Sequence, residues 1–184
     1  MKKYLALGDS MSIDDYTGVE GGGAVNQFHR SLGEGWRLDD RTRDGCTMPG
    51  VPTDGRGDVI TLTIGGNDLL VRREHYLAHG VDEFAAEHRR LLRAIRHRNP
   101  DATLIVGDIY APAQPLSAEE AEGLRQANAA IHASCAEFGA LLAPIHDTFR
   151  GHEQEYLCLG IEPTLAGATA IAELFLEEYR DTGG

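Results

Sequence analysis

Short apolar runs alternate along this chain with segments of helical periodicity, and few folds accommodate that alternation. Residues 4–7, 58–64, 103–106 and 140–145 read as strands, the run at 58–64 most strongly because it is rich in β-branched residues. Residues 36–42 form a weaker strand, suited to a sheet edge. Between them lie helices. Residues 24–32 put Val25, Phe28 and Leu32 on one face, and 82–97 do the same with Phe84, His88, Leu91, Leu92 and Ile95. A long helix over 117–138 opens on Ser117 and Glu120 in capping-box spacing, with Leu124, Ala127, Ile131, Cys135 and Phe138 inward. A last helix over 164–179 starts after Pro163 and faces inward with Leu165, Ala168, Ala172 and Phe175. The pattern predicts an α/β domain over residues 1–184, with a parallel sheet of about five strands. Right-handed crossovers then place helices on both faces of the sheet.

Several classes of function are disfavoured. The net charge is −12, and the one basic cluster, Arg89, Arg90, Arg93, Arg96 and Arg98, has the spacing of a solvated helical face. No nucleic acid partner is expected. No apolar run approaches the ~20 residues of a membrane span. The first apolar run is broken at Gly8-Asp9, too soon for a signal core, so a cytoplasmic location is expected. Cys46, Cys135 and Cys158 are widely spaced and lack a CxxC pair, which suggests free thiols and no structural zinc.

In a parallel sheet the ligand site lies at the carboxyl ends of the strands. Ser10, Asn67, Ile109 and His146 each follow a strand directly and should gather at that edge. Gly8-Asp9-Ser10 places a hydroxyl at a sharp turn. Gly65-Gly66-Asn67-Asp68 allows close backbone approach and offers an amide to a developing oxyanion, although Asn67 or Asp68 also suits a helix N-cap. Asp44-Gly45-Cys46-Thr47 places a further backbone N–H within reach at Gly45.

These blocks, in this order, resemble the SGNH (GDSL) hydrolases, a superfamily of esterases, lipases and acyl hydrolases. The resemblance spans essentially the whole chain. It implies a flavodoxin-like three-layer α/β/α sandwich. Ser10 would be the nucleophile, Gly45 a backbone oxyanion donor and Asn67 the side-chain oxyanion donor. The last block departs from the family pattern of Asp-x-x-His-Pro. Here Leu159-Gly160-Ile161-Glu162-Pro163 puts Leu159 at the aspartate position and Glu162 at the histidine position. A glutamate near pKa 4.3 is a poor base for serine unless burial raises it.

His146 and His152 lie just upstream. One expectation is that His152, or less readily His146, serves as base with Glu162 as its orienting carboxylate, a Ser-His-acid set in another chain order. His146, His152 and Glu162 are also zinc-ligand types, but their spacing matches no familiar motif, and neither metal nor cofactor is expected. Asp14 and Asp15 read as turn residues, Gly21-Gly22-Gly23 as a flexible helix entry without the lysine of a phosphate loop, and Trp36 as edge packing. The leading functional expectation is a serine ester hydrolase acting on a small-molecule ester. The short loops at 47–56, 71–80 and 110–115 suggest an acetyl-like acyl group. A silent binding module and an acyltransferase on the same site are the alternatives.

Overall fold

The computed structural model describes residues 1–183. Five strands, β1 (Lys2–Gly8), β2 (Trp36–Thr42), β3 (Val59–Thr63), β4 (Thr103–Gly107) and β5 (Leu141–Ala143), form a parallel sheet in the order β2-β1-β3-β4-β5. The helices are α1 (Ala24–Leu32), α2 (Gly66–Val71), α3 (Arg73–His79), α4 (Asp82–Arg98), α5 (Ala118–Phe138), α6 (Ile145–Phe149), α7 (Glu153–Tyr156) and α8 (Leu165–Asp181). A small antiparallel hairpin, β6 (Leu157–Cys158) and β7 (Glu162–Pro163), precedes α8.

The two-residue period of the strands divides the interior into two cores. Leu5 and Leu7 of β1 join Ile60 and Leu62 of β3 beneath Leu92 and Ile95 of α4 and Ile131 of α5. Tyr4 and Ala6 face the other way, onto Phe28 of α1 and Ile171 and Phe175 of α8. The result is a three-layer α/β/α sandwich. All five residues of β3 are buried, as a strand covered on both faces requires, whereas β2 is half-exposed and carries Asp39, Asp40 and Arg41 at the sheet edge.

The capping box of α5 forms as its sequence predicts: Ser117 Oγ accepts from the Glu120 N–H at 3.2 Å, and the Ser117 N–H donates to Glu120 Oε2 at 2.8 Å. Three local expectations change. The segment 71–80, expected as a loop, is mostly helical and forms the end of α2 and all of α3. The last strand stops at Ala143 because Pro144 has no N–H to give the ladder, and α6 begins there instead. Pro163 lies in β7, and Thr164 is the N-cap of α8, its Oγ1 accepting from the Gly167 N–H at 3.2 Å.

His88 on α4 is fully buried, stacks on Phe84 with ring centroids 6.3 Å apart, and has no hydrogen-bond partner on either ring nitrogen among the described residues. Burial lowers its pKa from 6.5 to about 4. Between those values the unfolded chain holds a proton that the folded chain does not, so stability falls as pH drops from about 6.5 toward 4. Denaturant melts of His88→Leu should lose this acid sensitivity, worth up to about 3 kcal/mol across the window.

Candidate active site

The strand order reverses between β1 and β3, and the crevice at their carboxyl ends is where such a sheet places a ligand. Gly8 ends β1 with φ 132°, and a Cβ there would run into the carbonyl oxygen of Thr63 on β3. Only glycine lets the strands approach so closely while the chain turns. The Asp9 N–H then donates to that same carbonyl at 2.9 Å. Ser10 follows at once, opening a 3-10 turn (Ser10–Ser12) whose N-cap is Asp9, the Met11 N–H donating to Asp9 Oδ1 at 3.2 Å.

Asn67 sits in the first turn of α2, immediately after β3. Its Nδ2 donates to the Cys46 carbonyl at 3.1 Å, which leaves its second N–H free of that contact. Both carboxylate oxygens of Asp68 accept from the Met48 N–H at 3.1 Å. Together these bonds tie the loop after β2 to the helix after β3. Gly45, with φ 66°, lies in that loop, one residue before the carbonyl that holds Asn67.

Glu162 reaches the same place from the other end of the chain. The β6–β7 hairpin turns through Leu159 and Gly160, with φ of 50° and 88°, and β7 packs against the Ser10–Ser12 turn. Tyr110, stacked on Phe149 with centroids 4.6 Å apart, donates its hydroxyl to the Ile161 carbonyl at 2.6 Å. That bond fixes the residue before Glu162. The glutamate is buried, and its Oε2 has no hydrogen-bond partner among the described residues. Burial raises the Glu162 carboxyl above the ordinary range, and the neighbouring Ser10 hydroxyl draws it part of the way back. The Leu159 side chain, by contrast, is 81% exposed.

The two candidate histidines are engaged elsewhere. His146 donates its backbone N–H to Asp108 Oδ1 at 2.7 Å, and its Nδ1 lies 3.0 Å from the Ile109 carbonyl. The other Asp108 oxygen meets His132 Nε2 at 3.0 Å. His152 is the N-cap of α7. Its exposed ring stacks on Tyr156, and its Nδ1 lies 3.7 Å from Glu155. The expected pairing of His152 with Glu162 is therefore not formed, because α7 turns the histidine onto Tyr156 and Glu155. The cavity that holds Ser10 and Asn67 is lined by neither histidine, nor by Gly45 or Glu162; Ile161 is the residue of the β6–β7 hairpin that reaches it. Among the described residues, no three His, Cys, Asp or Glu side chains converge as metal ligands.

That cavity measures about 380 Å³ and lies between α2, α3, the start of α5 and the carboxyl ends of the strands. Its α3 wall, formed by Arg73, Tyr76 and Leu77, was not foreseen, although Leu69, Tyr76 and Leu77 stand at helical i, i+7 and i+8 spacing that marks it.

The model of the GDSL-like lipase/acylhydrolase family matches residues 6–170. The chain belongs to that family. Solved structures agree on the fold. A lipase, Lip_vut3, from a goat rumen metagenome superposes with a TM-score of 0.80 at 21% identity, covering 97% of each chain. An acetyl xylan esterase from Geobacillus stearothermophilus gives 0.74 at 18%, covering 96% of this chain and 94% of that one. An extracellular lipase from Streptomyces rimosus gives 0.70 at 20%, covering 97% and 100%. No curated protein matches by sequence. Among the described residues no helix is long and apolar enough to cross a membrane.

Within this GDSL-family site, Asp9 is fully buried, and burial pushes its carboxyl up to about 8; the Met11 N–H opposes the shift, and the charges of Glu162 and Asp68 add to it. Asp9 is therefore neutral at pH 7. Folding takes up a proton at Asp9 between its ordinary value of 3.8 and about 8, so this contribution to stability is lost as pH rises through that window. Asp9→Asn, which copies the protonated form, should raise stability at pH 7 by roughly 3–4 kcal/mol in denaturant melts and have little effect near pH 4.

Proposed function

We propose that the chain is a serine ester hydrolase in which Ser10 attacks the acyl carbon and Glu162 accepts the serine proton. One observation carries this reading: a buried carboxylate with an unpartnered oxygen sits on β7, which packs against the turn of a serine that shares a cavity with Asn67. As the Ser10 oxygen bonds to the carbonyl carbon, its proton passes to Glu162 and the carbonyl π electrons move onto oxygen. The Ser10 and Gly45 N–H groups and the second N–H of Asn67 stabilise that oxyanion. Collapse breaks the ester C–O bond, and the departing alkoxide takes the proton from Glu162. Water then attacks the acyl-serine with Glu162 again as proton acceptor, releasing the acid and restoring Ser10. The acetyl-like acyl group that the short loops suggest is one substrate of this reading.

A second reading, a binding module without turnover, is favoured by the absence of any histidine from the cavity. Rates with p-nitrophenyl acetate and hexanoate separate the two. Ser10→Ala should abolish turnover, and Glu162→Gln should cut kcat/KM by about 10²–10⁴-fold. His152→Ala should leave the rate near wild type. No Ser10-dependent turnover with either ester would leave the binding module standing. Asn67→Ala should lower kcat by about 10²–10³-fold with a smaller change in KM.

The base must be ionised to act, so kcat/KM should rise with pH through an acid limb above the ordinary glutamate value of 4.5 and level off below the Asp9 ionisation at about 8. A profile whose acid limb persists in Glu162→Gln would remove Glu162 from the role of base.

A further inference from the structure

The walls of the Ser10 cavity are mostly apolar. Leu69, Leu77, Val81, Ile109, Leu116 and Leu124 all contribute to them. About 380 Å³ is room for roughly a dozen non-hydrogen atoms at the ~30 Å³ of a water molecule, far more than an acetyl group fills. Gly123 lines the same cavity from within α5. Glycine is disfavoured in a helix interior relative to alanine. A Cβ built there meets nothing within 4 Å, so neither strain nor a packing clash requires glycine at this position. What its missing side chain leaves is space in the cavity wall.

We propose that the cavity is an acyl site for unbranched, uncharged chains of roughly six to ten carbons, and that Gly123 sets the length it accepts. The inference rests on the ester-hydrolase reading. The polar groups lining the cavity fall into two sets. Asp9, Ser10 and Asn67 lie at the strand edge, and Arg73, Glu119, Glu120 and Glu122 come from α3 and the start of α5. Arg73 is engaged by Glu120 at 2.7 Å, and the remaining carboxylates, in a chain of net charge −12, repel an acyl chain that ends in its own carboxylate. Each methylene that moves from water onto the apolar wall should improve transition-state binding until the space is filled.

The test is a series of p-nitrophenyl esters from acetate to laurate, with wild type and Gly123→Phe and a melting curve for each. Wild type should gain up to about fourfold in kcat/KM per added methylene, peak between hexanoate and decanoate, and fall at laurate. Gly123→Phe should lower the octanoate-to-acetate ratio at least tenfold while melting cooperatively. A wild-type optimum at acetate, or an unchanged ratio in folded Gly123→Phe, would overturn the acyl-site assignment and leave the hydrolase reading intact. Absence of turnover with every ester would instead end the hydrolase reading. The cavity is then read by the Tm increase that 1-octanol gives wild type: its loss in Gly123→Phe supports an apolar chain site, and no increase in wild type overturns it.

Discussion

The site depends on one contact between backbones. At the end of β1 the chain passes so close to the Thr63 carbonyl that no side chain fits at Gly8, and the next N–H bonds to that carbonyl. This approach fixes where Ser10 leaves the sheet and brings it to the same crevice as the turn after β3, where Asn67 begins α2. The crevice falls at the reversal of strand order, so the helices that follow β1 and β3 leave toward opposite faces and keep it open. A one-residue shift of β1 against β3 would move Ser10 and also exchange Leu5 and Leu7 with Tyr4 and Ala6 between the two cores. The packing that stabilises the sheet therefore also sets the position of Ser10.

Much of this was legible before the structure. The strands and the four long helices announced themselves by period, and Ser117 with Glu120 marked the start of α5 because a capping box is a local bond between near neighbours. The family pattern of their blocks puts Ser10, Gly45 and Asn67 forward, and the fold brings Ser10 and Asn67 to one cavity. The segments that escaped owe their structure to contacts distant in sequence. The α2–α3 segment is short, and its Leu70 and Val71 are exposed, so its amphipathic pattern is weak. The hairpin that presents Glu162 is two residues wide on each side and is held by Tyr110, a residue 51 positions away. The surroundings of the histidines at 146 and 152 were hidden for the same reason. Their proximity in sequence to Glu162 says nothing about Asp108, which binds the His146 backbone, or about Tyr156, on which the His152 ring stacks.

Around Ser10 the dominant electrostatic fact is an excess of buried carboxyl groups. Asp9, Asp68 and Glu162 are each largely removed from water, and each is raised in pKa chiefly by that removal. Three like charges this close would repel one another. The protein relieves part of the repulsion by keeping Asp9 neutral, and part by giving Asp68 the Met48 N–H on both of its oxygens. His88, buried and uncharged on α4, tilts stability with pH in the opposite sense to Asp9. Between pH 4 and 6.5 the two contributions offset each other, so the whole protein should be less sensitive to acid than either group alone implies.

The departures at positions 159 and 162 make physical sense as a pair. A histidine base becomes a cation when it takes the serine proton, and an adjacent aspartate is needed to orient the ring and stabilise that charge. A glutamate base becomes neutral by the same transfer. In a buried setting the protonated form is the one the environment favours, so the desolvation that would hinder a histidine would assist Glu162 in the proposed role of proton acceptor. A carboxylate at position 159 would then have no imidazolium to stabilise and would add a further negative charge to a site already crowded with them. Leu159, exposed at the hairpin turn, is compatible with a glutamate base where it would not support a histidine. Under the proposed role, orientation of Glu162 would come instead from the backbone, through the Tyr110 hydroxyl on the Ile161 carbonyl and the close packing of β7 against the Ser10 turn.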